Sequence, residues 1–415
     1  MNTRPHARPR WPSGPVIGGL VALLLLGGAG FLEGLAAEPS RAWPVYLVNF
    51  LFWAGLAQAG VTFAALHQIT GSRWGPAVRR LAEGMGAFLP AALLLFLPLV
   101  PGRAWLFPWL QEPLPQKAWW LDAPRLFLRD GGGLILLTWV SLLFVRYSLR
   151  PELGEAIAQG QLPPRGLAAW LANGWQGLAA ERARSRRALS VLAPAVLLIY
   201  CLVWSLLGFD LVMSLSPAWS STLFGAYIFL TTFYLGLAGL AVLAVLLRKP
   251  CGLLGHVASA QLHDLGKLLL GFCMLTGYFF FSQYLVIWYG NLPREYGFFL
   301  VRGEGAWGPL AWTVLGLVVF LPFVVLLSRR AKERPGSLLA LTLVIVVGMW
   351  LERYVLVVPS LAPARGPAFG WVELSTTLGF LAAAALSYAG FVRILPPGAL
   401  VPEPGREALP PDRAC

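Results

Sequence analysis

The chain is 415 residues long, 57% hydrophobic and only 12% charged. Soluble domains average about 25% charged residues, so a soluble globular domain is excluded and a polytopic membrane protein is indicated. The net charge of +13 is not gathered on a basic groove interleaved with aromatic residues, which excludes a nucleic-acid interface. It sits in short loops, where it reads as a topology signal.

In chain order, residues 1–14 form a polar, basic segment with Arg4, Arg8 and Arg10. The apolar run 16–37 is too long for the core of a secretory signal and is read as a retained first span. Span two covers 44–69 and ends in His67 and Gln68; span three covers 84–100 and contains Pro90. Residues 101–130, rich in Trp and Pro, read as a loop at the lipid headgroup level. Span four is 131–147. A long basic loop carries RARSRR from Arg182, with an amphipathic surface helix expected over 166–183. Spans five to ten follow at 188–213, 219–247, 265–289, 308–327, 337–358 and 371–394. The proline-rich tail 396–415 is expected to be disordered. The chain thus divides into a first helical part, 15–213, holding spans one to five and the loop 148–187, and a second, 214–395, holding spans six to ten. Each span is near the ~20 residues a helix needs to cross the hydrocarbon core.

With both termini cytoplasmic, most of the 32 lysines and arginines fall on the inner side. Only Arg41, Arg103, Lys117, Arg125, Arg129, Arg294, Arg302 and Arg365 fall outside, a clear positive-inside bias. This orientation places Asp210, Glu352, Arg353 and Glu373 toward the outer face, with Ser282, Gln283, Tyr284 and Tyr289. It places His263, Asp264 and Lys267 at the inner face. Ionisable residues in apolar sequence are costly and normally have a partner and a task. Asp210, Glu352, Arg353 and Glu373, from four separate spans, are therefore expected to meet in one outer polar cluster. Glu352 and Arg353 are sequence neighbours and do not face one another on a helix; each calls for its own partner, with Glu373 and Asp210 the candidates. At ~100° per residue, Asp264, Lys267, Tyr278, Ser282 and Tyr289 lie on one stripe of span seven, which should face protein or water. Bland readings stand beside these: an interfacial Asp264–Lys267 pair, a structural ion-pair lock, an end-of-helix role for Asp210, and packing hydrogen bonds from the stripe hydroxyls.

Four cysteines, Cys201, Cys251, Cys273 and Cys415, show no metal or disulfide spacing. With only four histidines, His6 and His256 outside the spans, the four axial ligands of a di-haem helix bundle are lacking. No phosphate loop, dinucleotide fingerprint or HExxH is present.

Three stretches, FDLVMSLSPAWSSTLFG (209–225), HDLGKLL (263–269) and SQYLVIWYGNLP (282–293), resemble the NrfD-like membrane subunits related to the polysulfide reductase anchor. Within that family the chain looks most like the ActF subunits of alternative complex III, a bacterial quinol:cytochrome c (or other acceptor) oxidoreductase. The resemblance is best over residues 204–359. It implies an all-α integral membrane protein of about ten spans, with two four-helix bundles (spans two to five and six to nine) and flanking helices. It implies no haem or metal in this chain, and iron–sulfur clusters and haem in partner subunits. The partners would be an iron–sulfur protein, a multihaem cytochrome c and the sister subunit ActC, in the bacterial inner membrane. The first bundle is poor in ionisable residues, so no second pathway is expected there.

The expected function is quinol oxidation or proton transfer across the membrane within such a complex, by a subunit not active alone. Candidate proton-transfer residues are Asp210, His263, Asp264, Lys267, Tyr278, Ser282, Glu352, Arg353 and Glu373; candidate quinone contacts are Gln283, Tyr284 and Tyr289. The rival readings are a purely structural anchoring subunit and a secondary transporter. The latter is disfavoured because the charges lie near the two faces and not at a midplane site.

Overall fold

The computed structural model describes residues 12–72, 75–397 and 401. Arg4, Arg8, Arg10, His6, Arg73, Cys415 and nearly all of the tail lie outside the described residues, as does the side chain of Arg294. The elements are α1 (Gly14–Ala37), α2 (Pro39–Ile69), α3 (Pro76–Met85), α4 (Leu89–Phe96), α5 (Leu99–Leu106), α6 (Ala123–Ala158), α7 (Gly166–Ala172) and α8 (Leu178–Leu211). They continue with α9 (Leu223–Leu247), α10 (Ser259–Gly290), α11 (Pro293–Gly303), α12 (Gly308–Leu315), α13 (Leu321–Leu327), α14 (Arg329–Glu333), α15 (Pro335–Leu361) and α16 (Trp371–Ile394). Among the described residues nine helical spans are long and apolar enough to cross a membrane, α12 and α13 counting as one. The pair α3–α4 and α5, bent by 62°, makes ten if it is counted as one broken span. The chain is a multi-pass, all-α membrane protein.

Many helices open on proline. Pro39, Pro76, Pro124, Pro309 and Pro335 stand in the first two helical positions, where a missing N–H costs nothing and the fixed φ already suits the helix. At α6, Asp122 adds an N-cap by accepting from the Arg125 backbone N–H at 3.0 Å. The helix therefore begins well before residue 131, where the sequence suggested a loop. Likewise α8 starts at Leu178, so that RARSRR is helical and not loop. Arg150 explains the short connection before it: its guanidinium bonds Glu181 and the carbonyls of Leu171 and Asn173, tying α7 and the start of α8 to α6.

Helices α2, α3–α5, α6 and α8 form one four-helix bundle, and α9, α10, α12–α13 and α15 a second. The bundles meet along α2 and α9, with α8 against α9 and α15 against α2. The two seam helices are accordingly the most buried of the spans. Flanking them, α1 and α16 pair closely: a Cβ on Gly27 would fall 2.3 Å from the Gly379 Cα, and one on Gly30 2.2 Å from the Ser375 Oγ. Association in lipid rests on such close packing between small residues.

Several spans contain interior prolines, each leaving a carbonyl without its usual donor, and at Pro322 and Pro359 the replacement is visible. Pro322 cannot serve Val318, which lies in a π-helical turn over 316–320; the Tyr234 hydroxyl donates to the Val318 carbonyl instead, at 3.2 Å. Pro359 cannot serve Val355; Arg302 Nε donates there at 2.9 Å, while its other nitrogens reach the Phe298 and Leu356 carbonyls and Ser360. Burial lowers Arg302 to about 9, which still leaves it charged at neutral pH. Neighbouring helices thus re-satisfy these two freed groups, as hydrocarbon requires.

Candidate functional sites in the two bundles

Antiparallel packing defines two ends. Arg41–Glu373, Lys117–Pro217 and Ser216–Ser360 contacts lie at one; Arg80–Glu152 and Arg150–Glu181 lie at the other, where α1 begins and α16 finishes. The three carboxylates expected in one cluster are all buried, with Asp210 at 0%, Glu352 at 5% and Glu373 at 3% exposure. They are not joined. Each has its own cation, and no hydrogen bond or ion pair links the three among the described residues.

Asp210, in the last turn of α8, is held by Arg129 of α6. Arg129 Nε donates to Oδ2 at 2.7 Å, and Trp120 Nε1 to Oδ1 at 2.8 Å. The guanidinium lies over the Trp120 ring at 4.0 Å, a cation–π contact that screens the pair from solvent. Asp130 stands beside Asp210 at 1% exposure. No N–H or hydroxyl donor reaches either of its carboxyl oxygens among the described residues, which leaves the Asp210 carboxyl as its hydrogen-bonding neighbour.

Glu352 and Arg353 sit about two helical turns further from that end, since nine residues of α15 follow Glu352. They do pair with one another: Arg353 Nη1 donates to Glu352 Oε2 at 2.7 Å. The expectation that helix neighbours cannot meet fails because the arginine side chain is long enough to fold back along the helix. Its Nη2 donates to Thr231 and Thr232 of α9 at 2.9 and 3.0 Å, and the Tyr227 hydroxyl donates to Glu352 Oε1 at 2.7 Å. This is a fully bonded charged network inside the second bundle. Tyr227 and Thr231 of α9, which share a helix face with Tyr234, supply its neutral side.

Glu373 has a structural setting. It accepts two hydrogen bonds from Arg41, both at 2.7 Å, and one from the Gly370 backbone N–H at 2.9 Å. The acid therefore caps α16 and ties it to α2.

The α10 stripe is outward, not inward. Its buried face is Leu262, Leu265, Gly266, Leu269, Cys273, Thr276, Gln283 and Ile287, whereas Tyr278 is 63% and Tyr289 78% exposed. Helical periodicity identifies which residues share a face, and here tight packing at Gly266 and Cys273 turned the opposite face to the neighbours. Asp264 and Lys267 form a 2.6 Å pair at the helix start, largely exposed. His263 is half-buried on the turn beside them. Ser282 is half-buried on the same outer face. Gln283 is buried and bonds the Phe279 carbonyl and, at 3.4 Å, Ser221, while Tyr284 points out. The three residues read as quinone contacts do not converge.

The first bundle is not poor in ionisable groups. Besides Asp130, Asp210 and Arg129, its other end holds Glu83 between Arg79 at 3.0 Å and Arg80 at 2.7 Å. Ser148 bonds Glu83 and both arginines, Arg79 reaches Gln68, and Arg80 reaches Glu152. Between the ends, Gln58 donates to Ser141 at 3.0 Å. Hydropathy does not mark these residues as part of the bundle, because Arg79, Arg80 and Glu83 precede the apolar window of span three and Arg129 and Asp130 fall in the Trp- and Pro-rich stretch before span four. The signal was a proline or capping aspartate upstream, which moves each helix start back by two turns or more.

Of the thiols, Cys251 and Cys273 are buried and Cys201 half-buried; burial pushes Cys251, in the α9–α10 connection, up to about 11. No group of three or more His, Cys, Asp or Glu side chains suited to a metal occurs among the described residues. No protein-family model and no curated protein matches this chain.

Proposed function

We propose that this chain is a membrane subunit of a quinol-oxidising complex of the alternative complex III type, contributing proton transfer, and not active alone. The observation that carries the reading is that acids and arginines are buried inside the bundles, where helices meet, and not at their lipid faces: Asp210 of α8 with Arg129 of α6, and the α15 neighbours Glu352 and Arg353 against Tyr227, Thr231 and Thr232 of α9. Burial of ionisable groups at membrane depth is expensive, and their usual use is in proton or ion pathways. The stretches 209–225, 263–269 and 282–293 and the paired four-helix bundles agree with the NrfD-like resemblance. On this reading quinol is the substrate, and haem and iron–sulfur clusters belong to partner subunits: a multihaem cytochrome c, an iron–sulfur protein and the sister subunit ActC. The setting is the bacterial plasma membrane with both termini cytoplasmic. A polar helix face at membrane depth needs protein or water against it, so the exposed stripe of α10 fits a neighbouring subunit.

One observation favours a second reading, a purely anchoring subunit: Glu83, Glu181, Glu352 and Glu373 are each fully engaged by arginine, as structural locks would be. Purifying the native complex and identifying its subunits tests the first reading, which requires multihaem cytochrome and iron–sulfur partners. Glu352→Gln then separates the two: reduced turnover in assembled complex supports proton transfer, and reduced assembly with normal turnover supports anchoring.

A further inference from the structure

The first bundle holds a buried acid that makes no ion pair of its own among the described residues. Asp130 is 1% exposed, no N–H or hydroxyl donor reaches either of its carboxyl oxygens among the described residues, and the group within hydrogen-bonding reach of it is the carboxyl of Asp210. Asp210 already accepts from Arg129 and Trp120. Among the described residues, Arg129 is the cation acting on both carboxyls. Two ionised carboxylates would therefore face one guanidinium inside an apolar bundle. An ionised group that has left water without donors or a counter-charge is strongly disfavoured, and the ordinary outcome is that it takes a proton. Like charges in contact push the same way.

We propose that Asp130 and Asp210 form an acid pair holding one exchangeable proton, carried by Asp130, at the end of the first bundle opposite Glu83. The ligand is the proton itself. With it bound, Asp130 is neutral and the Asp210–Arg129 pair is neutral. Its release from the Asp130 carboxyl oxygen leaves a carboxylate and changes the charge of the site by one. Asp210 is the adjacent acceptor, and Arg129, whose side chain is 23% exposed, reaches from the pair to the surface and marks the side on which the proton meets water. A bound metal cation would need more oxygen ligands than two carboxyls provide. The inference rests on the proton-transfer reading above and names a group that would carry the proton.

The test is infrared spectroscopy of the purified full chain in H2O and in D2O, with and without carboxyl-labelled aspartate. The expected result is a protonated-aspartate C=O band that shifts in D2O and with the label, is absent from Asp130→Asn, and persists in Glu352→Gln. Failure to find a label-sensitive protonated band in the wild-type chain overturns the proposal, whether or not the variant folds. So does its persistence in Asp130→Asn. Thermal unfolding gives a second readout: Asn copies a protonated Asp closely, so Asp130→Asn should unfold within a few degrees of wild type. A large rise in Tm would show that a charged Asp130 had been removed, against the proposal. A sodium-specific rise in wild-type Tm, measured against choline at equal ionic strength, would also overturn it in favour of a cation site. If the band behaves as expected while the native complex shows no quinol oxidation, the pair stands and the quinol reading falls.

Discussion

Replacing Arg353 with Met removes the guanidinium from the centre of the second bundle while keeping most of its apolar stem. Arg353 is 1% exposed and donates to Glu352, Thr231 and Thr232. The variant leaves Glu352 buried with the Tyr227 hydroxyl as its remaining donor. Removing one partner of a buried ion pair typically costs about 3–5 kcal/mol, because the other charge is left uncompensated. Adding Glu352→Gln removes that charge. The double variant should therefore recover most of the loss, keeping a deficit of about 1–2 kcal/mol from the hydrogen bonds that Thr231 and Thr232 no longer accept. A coupling of at least about 2 kcal/mol is expected for groups this close. Denaturant titration of the detergent-solubilised chain, followed by tryptophan fluorescence, measures each corner of the cycle. If the double variant were as unstable as the sum of the singles, or if Arg353→Met alone cost less than about 0.5 kcal/mol, the two side chains would not be the charge partners described.

Glu83→Gln should destabilise the chain by about 3–5 kcal/mol, since it strips the acid from Arg79 and Arg80 in one step; an unfolding free energy near wild type would show that Glu152 and Gln68 suffice for both arginines. Arg302→Gln should cost less in a Pro359→Ala background than in wild type, by about 1 kcal/mol, because residue 359 would then supply its own N–H to Val355; equal costs would mean that the proline is not the reason for the arginine. Gly379→Val should separate α16 from α1, measured as a loss of cross-linking between cysteines placed on the two helices, and unchanged cross-linking would contradict the close packing at Gly27. Cys251, with its thiol near 11, forms little thiolate at pH 8, and its alkylation should accelerate steeply as pH approaches 11; peptide mass spectrometry showing rapid labelling at pH 8 would place it in a different environment.

Apolar run length was enough to find every span, because a helix in lipid must be long and must satisfy its own backbone. Span eight, 308–327, coincides with its helical segment. Helix ends were less legible. Arg79, Glu83 and Asp130 lie on helical turns beyond the apolar windows, so a hydropathy reading cannot see them as part of the bundle. That Asp210, Glu352 and Glu373 would be buried follows from their type and sequence setting. Their partners do not, because Arg129, Arg353 and Arg41 reach them by side-chain length and tertiary packing. Arg41 and Glu373 lie 332 positions apart in the chain. The α10 stripe shows the same limit: the angle of Tyr278 around its helix is fixed by sequence, whereas the direction in which that angle points is fixed by the fit of Lys332 of α14 against Gly266 and of the 316–320 turn against Cys273.

The most direct measurement is quinol:acceptor turnover, with proton release per electron, in purified native complex carrying Glu352→Gln or Asp210→Asn. The proposed role requires that at least one variant, fully assembled, lose turnover or release fewer protons. Wild-type values for both, in complex of normal subunit composition, would contradict it and leave these buried charges as structural locks.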